Sequence, residues 1–267
     1  MISPTLFFKF ASVTFQKQIT YRFDYFMGIL NGFLYVFIFT SVWRALFSQS
    51  DNAVQSGFTL NGMITYAVMA MVIRISFTQD DAVIYRKVQD GSVSIDLIRP
   101  VSFFFMNLAE AAGYSLFHFF ARSVPILIIS FFLFEIEIPL EPARLFAFAL
   151  SALFGYLILF LVNFAVGLLA FWFVEIFPFM LFKYGLLTLF GGGIVPVDFF
   201  PEVLKVVINL LPFQQILYVP TVILTGHAPL STLPGLLSTQ FVWVVFMTML
   251  SKTMWGAGRN KLVVQGG

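Results

Sequence analysis

The chain contains no cysteine and only two histidines, and Asp, Glu, Lys and Arg together make up 10% of its 267 residues. Without thiols there is no disulfide framework, no thiolate metal site and no cysteine nucleophile, and two histidines leave little for a metal centre. Charge this sparse, far below the roughly 25% of a soluble domain, excludes both a soluble globular enzyme and a disordered chain. Apolar residues dominate instead: 60% of the chain is hydrophobic, Phe alone contributes 37 residues, and the mean hydropathy is +0.93. Apolar surface on that scale must face lipid. A net charge of +2 is too small to indicate nucleic acid, so the placement of charge carries more than its sum.

A membrane-crossing helix needs about 20 mostly apolar residues. The runs free of Asp, Glu, Lys and Arg are Tyr25–Trp43, Asn52–Ile73, Ser123–Phe134, Leu145–Val174, Tyr184–Val197 and Val206–Ser251. The first, second and fourth are long enough alone. The third, of 12 residues, must extend back through Arg122, and the fifth must begin before Lys183, near Phe179. The last is interrupted by Pro212, Pro220, Gly226, Pro229 and Pro234, which disfavour continuous helix. It reads as an irregular or re-entrant stretch, 198–228, followed by one crossing near Leu233–Leu250.

The prediction is an all-α integral membrane protein with six transmembrane helices. An even count puts both termini on one side, together with Lys9, Lys17, Arg22, Arg74, Arg86, Lys87, Arg99, Arg122, Lys183, Lys252, Arg259 and Lys261. Only Arg44, Arg144 and Lys205 fall on the other side, beside Asp51, Glu135, Glu137, Glu141, Asp198 and Glu202. This asymmetry makes both termini cytoplasmic, in a multi-pass protein of the cytoplasmic membrane. Lys9 and Lys17 break any early apolar core, which argues against a cleaved signal peptide.

In 1–23, Phe8, Ala11, Phe15, Ile19 and Phe23 recur at helical spacing, with Lys9, Ser12, Gln16 and Thr20 on another face. This pattern suits an amphipathic interfacial helix, the alternative being an extension of the first crossing. The 79–100 loop holds both a helix start, Asp80 or Asp81, and a helix stop, Gly91. Ile84, Tyr85 and Val88 would form an exposed apolar face beside Arg86 and Lys87 that suits a partner's groove. The plainer reading is a solvated connector.

Asn107, Glu110, Tyr114, His118 and Arg122 follow at spacings of three or four, a polar stripe on an otherwise apolar helix. Ionisable groups at membrane depth usually face protein or water, so the stripe points into the bundle, unless Glu110 and Arg122 snorkel to the inner interface. Near the outer side, Gly191, Gly192 and Gly193 permit a bend or close approach, and Pro196, Pro201 and Pro212 stop helices. Broken backbone at membrane depth lines a cavity or is buried in protein, which favours a capped pathway mouth over a plain loop.

Neither a GxxxxGK[ST] phosphate loop nor an HExxH helix nor a GxSxG elbow is present, so nothing in the chain marks it as an enzyme. Any ATP hydrolysis must belong to another chain. No metal site is expected.

Asp90-Gly91-Ser92 followed by Asp96-Leu97-Ile98-Arg99-Pro100 is similar to the Gly-x-(Ile/Val)-x-x-x-Leu-x-Arg-Pro segment of the type-2 ABC exporter permeases. Further likeness lies in Gly193-Ile194-Val195-Pro196 to Phe200-Pro201, in Leu211-Pro212, and in the ending from Arg259 to Gly266-Gly267. The chain resembles the six-span half-permeases of that family, which work beside a separate ATPase. The resemblance implies a single transmembrane permease domain over 1–267, with a cytoplasmic coupling helix between spans 2 and 3 that docks on the ATPase through Tyr85, Arg86, Lys87, Asp90, Gly91, Asp96 and Arg99. It also implies re-entrant outer helices between spans 5 and 6 that close an outer gate, two ATPase copies carrying ATP and Mg, and a second permease chain, identical or homologous. A Glu-rich coupling helix is common in the wider family, whereas this loop carries Tyr85-Arg86-Lys87. On the residues alone, an ion-coupled secondary transporter or channel using Glu110, His118 and Arg122 is the competing class. The inverted repeat that such a carrier would show is not found.

Overall fold

The computed structural model describes residues 4–20, 22–48, 54–55 and 57–261. Asp51, the start of the second apolar run, Gly266-Gly267 and the side chains of Arg22 and Phe23 lie outside what is described. Helices α1 (Pro4–Ile19) and α2 (Arg22–Ser48) are separate elements. A two-residue antiparallel ladder, β1 (Val54–Gln55) with β2 (Phe58–Thr59), turns at Gly57. Thr59 then caps α3 (Leu60–Ser76), its hydroxyl accepting from the Gly62 amide at 3.1 Å, which satisfies a first-turn donor.

Two short helices, α4 (Val83–Gln89) and α5 (Val93–Ile98), make up most of the 79–100 loop. Next, α6 (Phe103–His118) runs through a π-helical turn at Phe119–Ser123 into α7 (Val124–Leu133). Pro125, just past the wide turn, has no N–H to donate to the turn before it, a common cause of such a break. The order ends with α8 (Pro142–Leu168), α9 (Phe177–Phe190), α10 (Glu202–Asn209), α11 (Tyr218–Leu224) and α12 (Leu233–Gly258). Pro142, Pro178 and Pro234 occupy the first or second positions of α8, α9 and α12, where a missing donor is harmless.

Four helical stretches are long and apolar enough to cross a membrane: Tyr25–Ser48, Phe103–Leu133, Pro142–Phe171 and Leu230–Lys261. A fifth is possible if Glu202–Asn209 and Phe213–Leu224, bent by 78°, count as one broken span. The two remaining apolar helices are shorter. At ~1.5 Å per residue, α3 is about 25 Å long and α9 about 21 Å, against a hydrocarbon core of about 30 Å. The structure thus moves several expected boundaries. The third run reaches back to Phe103, well beyond Arg122. The fifth stops at Phe190 instead of Val197, because Gly192 at φ +75° and Pro196 end the helix.

The apolar face expected for α1 is rotated. Ala11 is buried where α1 runs along α6, and its backbone approaches so closely that a Cβ at Gly113 would collide with it. Phe15 meets Phe117 edge to face at 5.8 Å, while Phe8 and Ile19 point outward. Gly113 sets this docking direction, which periodicity within α1 does not contain. The core is built on α8, where Ile158, Leu161 and Leu168 join Phe103, Met106 and Ile216. Val36, Val68, Val72 and Ile126 tie α2, α3 and α7 together. Phe37, Phe132, Phe146 and Phe241 stay exposed on the perimeter, as lipid-facing side chains do.

Candidate functional site

Neither aspartate caps α4; its N-cap is Ala82. Asp80 pairs with Arg86, and Asp81 pairs with Lys183. At the other end Gly91 adopts φ +74° with open space around it, so backbone conformation and not crowding selects glycine there. The Ser92 amide donates to Asp90 Oδ1 at 2.9 Å, and hydrogen bonds from Ser92 hold the Asp90 carboxyl below its ordinary range.

The apolar face of α4 is turned inward. Ile84 is buried against Gly167 of α8, where a Cβ would sit 3.0 Å from the isoleucine, and Val88 packs on the same core. Tyr85 donates to Glu175 Oε2 at 3.2 Å. The exposed apolar side chains of the loop are instead on α5, where Ile98 is 85% exposed and Ile95 59%. Lys87 Nζ lies 3.0 Å from Asp96 and 2.9 Å from Glu110, and Arg99 lies 3.0 Å from Asp96. Lys87, Asp96 and Arg99 therefore form an ion-pair cluster joining α4 and α5 to α6, whereas Arg86, Asp90 and Gly91 remain at the surface.

One link was not singled out from the sequence. Lys183 in α9 is buried, donating to Asp81 Oδ2 at 2.6 Å and to Asn163 Oδ1 at 2.8 Å, while Asn163 donates to Gln79 at 3.1 Å. The loop preceding α4 is thereby tied to both α8 and α9. Lys183 is the only Asp, Glu, Lys or Arg between Glu175 and Asp198, and a lone ionisable residue in an apolar stretch is itself a signal of a partner.

The polar stripe divides. Asn107, Glu110 and Tyr114 line a cavity of about 540 Å³ between α1, the loop before α4, α6 and α8. Tyr114, His118 and Arg122 line a smaller neighbouring cavity of about 260 Å³. Because Glu110 is held by Lys87 and neither ring nitrogen of His118 has a hydrogen-bond partner, the stripe is not a continuous hydrogen-bonded relay.

At the opposite end, Gly191 caps α9 and its carbonyl accepts from the Tyr218 amide at 2.9 Å. Gly192 accepts from the buried Tyr66 hydroxyl at 2.6 Å, and a Cβ there would lie 2.6 Å from that of Tyr218. Pro196 precedes a 3-10 turn, Pro201 precedes α10, and Pro212 opens the 3-10 turn at Phe213–Gln215. Tyr218 donates to Asp198 at 2.8 Å, and Asp198 lies 3.7 Å from His227, which stacks on Phe58 at 3.7 Å. Burial raises the Asp198 carboxyl, but His227 and Tyr218 outweigh it and hold the group below its ordinary value.

Two further residues of this end carry no local sequence motif. Arg144 is buried, donates to the carbonyls of Ile223 at 3.2 Å and Ala228 at 2.8 Å, and pairs with Glu141. Gln240, fully buried in α12, donates to Gln215 O at 2.8 Å and Ser151 O at 3.2 Å. Both donate to backbone carbonyls of the broken segment, and Gln240 also donates to one inside α8.

A family model described as ABC-2 family transporter protein matches residues 33–266. No curated protein and no solved structure matches the chain. The match takes in the α4–α5 loop, the stripe and the glycine-proline end, and it agrees with the likeness read in the 90–100 and 193–212 segments. The chain therefore belongs to the ABC-2 transporter family: it is a multi-pass membrane permease of an ABC transporter, a class that works with an ATPase subunit.

Proposed function

We propose that the chain is one half of the membrane domain of an ATP-driven exporter in the cytoplasmic membrane, paired with a second permease, identical or homologous, and two ATPase copies. The chain is not itself an enzyme; ATP and Mg belong to the ATPases. In this reading α2, α3, α6 with α7, α8, α9 with the broken segment, and α12 make six crossings, and both termini are cytoplasmic. Helix α4 is the coupling helix. It presents Arg86, Asp90 and Gly91 to the ATPase, and Lys87, Asp96 and Arg99 transmit its displacement into α6. The observation that carries this reading is the double anchoring of the loop, by Lys87 to Glu110 and by Asp81 to Lys183. A segment so held moves its helices when pushed. The 198–228 segment, braced by Arg144 and Tyr218, is the outer gate.

The test is the ATPase complex in proteoliposomes. Gly91→Pro, which forces φ negative and removes the amide that donates to Val88 O at 3.3 Å, and Arg86→Glu are expected to lower coupled ATPase activity at least tenfold while the chain still inserts. Unchanged coupled activity in both variants refutes the reading.

A further inference from the structure

Arg74 stands apart from the other basic groups of the interior. Lys87, Arg144 and Lys183 each have a carboxylate within 3.2 Å. Among the described residues, no carboxylate lies within ion-pair distance of Arg74. Its neighbours are two tyrosines: the guanidinium carbon is 6.0 Å from the ring centroids of both Tyr35 and Tyr184, and Nη2 donates to the Tyr184 hydroxyl at 3.1 Å.

Those tyrosines report depth. Tyr35 is the fourteenth of the 27 residues of α2, and Tyr184 is the eighth of the 14 residues of α9. The side chain of Arg74 also reaches to 4.0 Å from a Cβ position at Gly193, the start of the glycine-proline end. Arg74 is the fifteenth of the 17 residues of α3, yet its head lies beside rings from the middles of α2 and α9 and its stem beside the glycine turn at Gly193.

The face it occupies is open. Tyr184 is 53% exposed and Leu181, one turn earlier on the same side of α9, is 57% exposed. An arginine at that depth does not face acyl chains; it faces protein or a water-filled space. A guanidinium has five donors in a planar fork that matches a carboxylate or phosphate, and here it meets only the hydroxyls of Tyr184 and Tyr35, with no counter-charge among the described residues. The Tyr35 hydroxyl is buried and interacts with Arg74, its ring stacked on Phe39 at 4.2 Å.

We propose that Arg74, with Tyr35 and Tyr184, is the pathway's substrate-anion site, taking the phosphate or carboxylate of an organic anion whose apolar body rests on the tyrosine and phenylalanine rings. This names a substrate class for the permease reading above and rests on it.

Since the chain has no cysteine, Leu181→Cys installs a single reporter thiol one turn from Tyr184. In membranes containing the full chain, its reaction rates with sulfonatoethyl and trimethylammonioethyl methanethiosulfonates are compared. The anionic reagent is expected to react preferentially, and adding Arg74→Gln is expected to lower the anion-to-cation rate ratio about tenfold, the size of one nearby charge at intermediate dielectric. Arg74→Lys should retain most of the ratio. A thiol that neither reagent reaches, or a ratio that Arg74→Gln leaves unchanged, overturns the proposal.

Protection identifies the occupant. Slowing by 2-naphthyl phosphate in phosphatidylcholine vesicles, and not by 2-naphthylmethylammonium, indicates a soluble organic anion. Slowing only on adding phosphatidylglycerol indicates a lipid headgroup. Protection by neither refutes an anion site. Thiol labelling requires no ATPase, so its failure is read separately from a failure of coupling.

Discussion

At the α4 end, lysines and arginines face carboxylates; at the glycine-proline end, Gln240 faces backbone carbonyls and Arg144 faces two of them besides the half-exposed Glu141. The first arrangement joins separate helices through side chains that can exchange partners, as Lys87 does between Asp96 and Glu110. The second completes the hydrogen bonding of broken helices whose shape is set by Gly192, Gly226 and the prolines. On the proposed function, the end that receives force is built from reconfigurable pairs, and the end that seals is built from satisfied backbone. Between them runs α9, with Lys183 on one side and the glycine triplet at its terminus.

The comparison is broken most directly at Arg144. Arg144→Met leaves the Ala228 carbonyl without its donor and removes a charged donor from that of Ile223, which keeps the Gly226 amide at 3.4 Å, at about 1–3 kcal/mol for a buried acceptor left unpaired. A loss of about 2–3 kcal/mol is expected, read as a lower Tm of the solubilised chain that added salt changes little, because only the half-exposed Glu141 pair is screened. At the other end, Asp81→Asn strands the buried Lys183 charge. Removing one partner of a buried pair costs roughly 3–5 kcal/mol, and the 39% exposure of the Asp81 side chain reduces the expectation to about 2 kcal/mol by solvent screening. Lys183→Met leaves only the half-exposed Asp81 unpaired and should cost less. Equal Tm losses for the two variants would show that the pair is not buried in solution.

The smallest effect is on pH dependence. The folded-state value of Asp198 is lowered from 3.8, so its contribution is fully present above that value and is lost as pH falls through the lower folded one. Thermal unfolding of the wild-type chain should therefore weaken below about pH 4, and Asp198→Asn should flatten that acid limb.

The all-helical, apolar character of the chain and the break after Lys183 were legible in the sequence, because lipid demands apolar helices and Pro and Gly interrupt them wherever they stand. Helix ends were less so. Runs free of charge stop at Arg122, yet α6 tolerates Glu110 because Lys87, 23 positions earlier, neutralises it. The direction of α4 was misjudged for a related reason: Ile84, Tyr85 and Val88 describe an apolar face, but only Gly167 on another helix decides that it turns inward. The key partners of the site are far apart in sequence, 102 positions for Lys183 and Asp81 and 79 for Arg144 and Ile223. No local pattern encodes such pairs. What the sequence does carry is the oddity of each charge within its apolar surroundings.

The π turn at Phe119–Ser123 has its own consequence. Its extra residue offsets the winding of α6 from that of α7 by about 100°. The stripe can then look toward α1 and the loop before α4 while Ser123 donates to Val72 O at 3.1 Å and accepts from Ser76 Oγ at 2.9 Å. With regular winding, one of these two faces would be turned away from its partner. A single long rod thus serves two neighbours in different azimuths, and rotation of its lower half need not be copied by its upper half.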